Sequence, residues 1–123
     1  MIGRGERGSA SIWVLAVSSL LLVVAGVVTV RGLAVLARHR AESAADLAAL
    51  AAAARIGLGG APCAAAGPIA AANGAGLRSC AAHLSADGRS GEVLVRVVLR
   101  AHLPGVGGRE VVASARAGRG GLP

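Results

Sequence analysis

The chain has no lysine, no phenylalanine and no tyrosine, and Trp13 is its single aromatic ring of the Phe, Trp or Tyr type. Without aromatic bulk, little apolar area is available per residue to offset chain entropy, so any soluble core must be thin. The same absence removes the stacking platforms that hold single-stranded nucleic acid. All thirteen basic residues are arginine, scattered from Arg4 to Arg119 instead of gathered in a patch, so the net charge of +7 reads as GC-rich codon usage and not as a phosphate-binding surface. With no lysine, neither Gly57, Gly59 and Gly60 nor Gly105, Gly107 and Gly108 can complete a GK[ST] phosphate loop, and both clusters read as turns. No serine lies in G-x-S-x-G; Ser90, between Gly88 and Gly91, misses that spacing. The sequence therefore predicts no enzyme, no cofactor, no nucleic-acid partner and no small-molecule substrate.

What the chain does have is an uncharged run over residues 12–30, IWVLAVSSLLLVVAGVVTV, which begins at Ile12, ends at Val30 and is closed by Arg31. At about 1.5 Å per residue its length approaches the hydrocarbon thickness of a bilayer, and it reads as a membrane span. Residues 1–11 read as a flexible cytoplasmic arm. A cleavable signal begins in the same way, with Val35, Leu36 and Ala37 as the nearest approach to a small-residue cleavage site. The alternative reading is therefore a secreted, disulfide-stapled binding domain released near Ala37.

Orientation rests on two opposed signals. Arg31, Arg38 and Arg40 outnumber Arg4 and Arg7 across the span and favour a cytoplasmic carboxyl-terminal part, besides suiting contact with anionic lipid. Cys63 and Cys80, the only two cysteines, argue the reverse, since a core-poor domain in an oxidising compartment would use them as a staple. The adopted reading is a cell-membrane, single-pass protein with its amino terminus inside and its carboxyl-terminal domain extracytoplasmic.

Residues 31–56 contain no proline and one glycine and are dominated by Ala and Leu, so the helix should continue as an amphipathic rod, roughly 60 Å long with the span. On a helical wheel Leu33, Leu36, Ala37, Ala41, Ala44, Leu47, Ala48 and Ala51 form one face, with Arg40 and Arg55 intruding. This face can pack either on a neighbouring subunit or on the chain's own carboxyl-terminal part. Glu42 and Asp46, on the polar face, read as solvated carboxylates and not as a catalytic pair.

A glycine turn with Pro62 ends the rod, and a second helix from Cys63 to Ala72 should be kinked or split by Pro68 and stopped at Asn73-Gly74. The last forty residues turn Val-rich. Strands over 81–84, 92–103 and 110–117 are expected, with Val93, Val95, Val97 and Leu99 on one face and Leu94, Arg96, Val98 and Arg100 on the other. Residues 57–117 would form a small extracytoplasmic domain and 118–123 a disordered tail. Cys63, Cys80, His83 and His102 have ligand chemistry for zinc but match no finger or ribbon spacing, and a Cys63–Cys80 bridge accounts for the cysteines more simply. The expected class is an α+β membrane protein: one transmembrane helix continuing into an amphipathic helix, then a short helix and an antiparallel meander.

RGSA at Arg7 to Ala10, ARHRAESAADLAALAAAARIG at Ala37 to Gly57, AAANGAGLRSC at Ala70 to Cys80, and the RAG at Arg116 to Gly118 together resemble the actinobacterial TadE-like family. This is a group of small membrane-anchored, pilin-like proteins of the tight-adherence pilus system, with a branch associated with secretion or DNA translocation. The resemblance implies a minor pilin or pseudopilin stored in the lipid bilayer. Its partners would be other TadE-like or pilin-like subunits and a membrane assembly platform driven by a separate ATPase. It also implies processing between Gly8 and Ser9 with a glutamate at the fifth mature position, where this sequence has Trp13. An indole cannot pair with a neighbour's amino terminus, and it suits an interfacial anchor instead.

Overall fold

The computed structural model of the protein describes residues 6–120, with side chains from residue 8. Residues 1–5 of the expected arm and 121–123 of the expected tail lie outside them. The order of elements is helix α1 (Glu6–Ala53), a 3-10 turn (Pro62–Ala65), helix α2 (Ala66–Ala72) and strands β1 (Gly76–Leu84), β2 (Gly91–Leu103) and β3 (Gly107–Arg119). The chain divides into two compact units, Met1–Leu33 and Ala34–Pro123. The long apolar helix, the short second helix and the three-stranded antiparallel sheet make an α+β protein with one candidate membrane span.

The first unit holds the amino-terminal part of α1. The helix begins at Glu6, so residues 6–11, expected in the flexible arm, are helical. Its aliphatic side chains are exposed all round, Leu22 at 74% and Leu15 at 66%, on a helix long and apolar enough to cross a membrane. Two of the three hydroxyls within the apolar run turn inward on the backbone: Ser19 donates to the Leu15 carbonyl at 2.7 Å and Thr29 to the Ala25 carbonyl at 2.8 Å.

In the second unit α1 ends short of the expected Ile56. Its last turn tightens, with the Arg55 amide donating to the Ala52 carbonyl, and Gly57 takes a left-handed φ of 83° that closes the helix. The Arg119 guanidinium, arriving from the end of β3, donates to the Ile56 carbonyl at 2.8 Å and satisfies one of the orphaned acceptors there. Arg119 and Gly118 are paired in β3, so the strand extends into the expected tail.

The second helix is split as its prolines dictate. Pro62 opens the 3-10 turn, and Pro68 sits in the first turn of α2, where its missing amide is no loss. Asn73 and Gly74 end α2 in a Schellman arrangement: the Ala75 amide reaches the Ala70 carbonyl at 2.9 Å and the Gly74 amide the Ala71 carbonyl at 3.0 Å.

The sheet runs in the order β1-β2-β3, all neighbours antiparallel. A register shift between Leu77 and Ser79 interrupts β1. The period of two holds through β2: Val93, Val95, Val97 and Leu99 are buried, while Arg96 and Arg100 are exposed. These buried residues join Ala113 of β3, Ile56 and a run of helix alanines in one core cluster.

Candidate assembly surface

The helix face expected to pack is divided by the structure. Ala37, Ala44 and Ala48 are buried, Ala51 is half-buried, and Leu33, Leu36 and Leu47 are exposed. The stripe that meets the sheet consists of Ala37, Ala41, Ala44, Ala45, Ala48, Ala49, Ala52 and Ala53, none more than 7% exposed. It is rotated away from the leucines for a steric reason. A leucine would hold the helix off the sheet, whereas a methyl allows close approach to the Val93, Val95 and Val97 side chains. Leu36 and Leu47 are left on the flank, 46% and 45% exposed.

The polar side of α1 is a solvated ion-pair face. Arg38 meets Glu42 at 2.9 Å and His39 lies 3.7 Å from the same carboxylate, one turn apart on exposed helix. Glu42 is thus paired with Arg38 one turn before it.

Cys63 and Cys80 are joined in a disulfide that ties the 3-10 turn to the middle of β1. His83 and His102 are not brought to them or to each other. His83 pairs across from Glu92 and His102 lies ten positions further along β2, about 33 Å away at strand rise. Among the described residues no three His, Cys, Asp or Glu side chains gather as a metal site. A cleft of about 490 Å³ beside the end of α1 is lined by Ala51, Arg55, Gly60, Ala64, Pro68 and Ile69 among others, with Arg55 its one charged residue.

One ordered polar cluster was visible in sequence only as a turn at Ala86, Asp87 and Gly88. The Asp87 carboxylate accepts from the Ser85 hydroxyl and, at 3.1 Å, from the Arg89 amide. The Ser85 hydroxyl also accepts from the Ser90 amide at 3.2 Å. The Ser85 hydroxyl first, then the Arg89 amide, hold the Asp87 carboxyl below its ordinary value. These bonds stay within the β1–β2 connection and shape it.

At the other end of the chain, Gly8 and Ser9 lie in helical backbone and are exposed, Trp13 is 69% exposed, and Ile12 and Val30 lie in the same helix at the two ends of the apolar run.

The described residues thus form a long helix with an exposed apolar run and a small disulfide-tied sheet unit. Residues 8–55 are similar to the Flp pilus-assembly TadE/G-like family. The match covers α1 almost end to end and none of the sheet. No curated protein and no solved structure matches the chain.

Proposed function

We propose that the protein is a noncatalytic, single-pass membrane component of a tight-adherence-type pilus or secretion apparatus. It acts as a TadE-like minor pilin, pseudopilin or assembly factor, with its amino terminus cytoplasmic and its Ala34–Pro123 unit outside. The observation that carries this reading is the coincidence of the family match at residues 8–55 with a helix whose amino-terminal part is apolar on every side. Lipid satisfies such a surface in storage, and neighbouring helices can replace lipid on assembly. Trp13 in place of an acid favours an anchor retained in the membrane, unprocessed at Gly8 and Ser9. Pilin-like subunits and an ATPase-driven membrane platform are the partners that this role requires.

Fractionation, amino-terminal sequencing and thiol labelling of intact cells test the proposal together. The expected result is a membrane-bound chain, with Cys63 and Cys80 labelled by an impermeant reagent only after reduction. An amino terminus at Arg38 would overturn it in favour of a released domain, and a chain recovered in the soluble cytosol would overturn it outright.

A further inference from the structure

We propose that the leucine strip on the flank of α1 docks an aliphatic helix of a different subunit, one that carries a carboxylate opposite Arg40. The strip lies within the Ala34–Pro123 unit and is formed by Leu36, Arg40, Ser43, Leu47, Leu50 and Ala54. Their alternating steps of four and three residues are the seam spacing of two helices packed knobs-into-holes. Leu36, Leu47 and Leu50 are 46%, 45% and 58% exposed, although they stand beyond the apolar span on a helix whose adjacent stripe is buried to completion. Leu47 and Leu50, one turn apart, form an exposed apolar pair on this line, and Leu36 lies further along it beyond Arg40 and Ser43.

Arg40 selects the occupant. It sits within the seam, is exposed, and has no carboxylate partner among the described residues, while Arg38, one turn from Glu42, is paired. The inference rests on the membrane-anchored reading: copies held in one membrane run parallel, and in register they would set Arg40 against the Arg40 of the next copy. Like charges facing each other in a seam oppose association, and burying an unpaired guanidinium adds a desolvation cost. A partner helix with leucine or alanine along its seam and one glutamate or aspartate at the facing level removes both penalties. The charge thus acts as a selector between self and non-self on a surface whose apolar part would accept either.

The probe is a labelled synthetic helix with leucine and alanine along its seam and one glutamate opposite Arg40, titrated into the detergent-solubilised full chain. A twin peptide has arginine in place of that glutamate. The glutamate peptide is expected to bind at least about tenfold more tightly, and Arg40→Glu in the protein should reverse the preference. Leu47→Asp should abolish binding of both while helix content stays unchanged, because position 47 is exposed. Equal binding of the two peptides, or a preference that Arg40→Glu leaves unmoved, would overturn the proposal in favour of unselective apolar cover, lipid included. Because both native cysteines are bonded, Leu47→Cys supplies a single free thiol. Its ready oxidation to a covalent dimer in membranes would overturn the proposal in favour of a second copy. Fractionation and labelling can succeed while this experiment fails, so the two readings fail separately.

Discussion

Gly91 opens β2 at a φ of 153°, and a methyl at this position would lie 2.4 Å from the His83 carbonyl oxygen and 2.9 Å from the Leu84 Cα. Both are backbone atoms of the paired strand and cannot swing aside. Gly91→Ala is therefore expected to destabilise the sheet unit by about 2 kcal/mol or more, read as a fall in the urea midpoint. Gly59→Ala, with open space around it, should cost only about 1 kcal/mol for its left-handed backbone. Asp87 makes a pH prediction. Its folded carboxyl is held below the ordinary value by the Ser85 hydroxyl and then the Arg89 amide, so its contribution is present above the unfolded value of about 3.9 and is lost as pH falls through the lower folded one. Wild type should melt above Asp87→Ala at neutral pH, and the gap should close in strong acid. A gap that persists there would mean that the carboxylate charge is not what orders the turn.

At the scale of elements, the alanine stripe and the leucine strip of α1 divide the helix's apolar surface between two neighbours. Ala48→Leu, at a position 0% exposed, should push the helix from the sheet at a cost of about 1–3 kcal/mol. Leu47→Ala, one residue away and half-exposed, should shift the denaturation midpoint by no more than about 0.5 kcal/mol in the isolated chain. The proline split and the inward set of β2 were legible because each is fixed by local chemistry: missing amides and a period of two. Which flank of α1 goes inside was not legible. Both alanine and leucine count as apolar on a wheel, and the choice depends on the distance between helix and sheet, which only the opposing Val93, Val95 and Val97 define. The turn network of Ser85, Asp87 and Ser90 was hidden for a similar reason, since polar residues in a turn show neither direction nor partner. The Cys63–Cys80 bridge could be read because two cysteines permit one pairing.

For the molecule as a whole, stability of the sheet unit should depend on its one cross-link to an unusual degree. The largest fully buried side chains are Ile56, Val93, Val95 and Val97, a short supply of apolar area. The bridge closes a sequence separation of 17, and loops of this size gain about 3 kcal/mol from restricting the unfolded chain. Reductant should lower the urea midpoint of the full chain in detergent by a corresponding amount, and an unchanged midpoint would show that packing alone sustains the unit. The buried alanines carry a further consequence, for the order in which the protein is made. A helix precedes its sheet along the chain, so α1 leaves the ribosome before the strands that cover it. Alanine has no rotamers to freeze, so the stripe already has its final shape while it waits. The later-formed hairpin of β2 and β3 meets a template that needs no rearrangement.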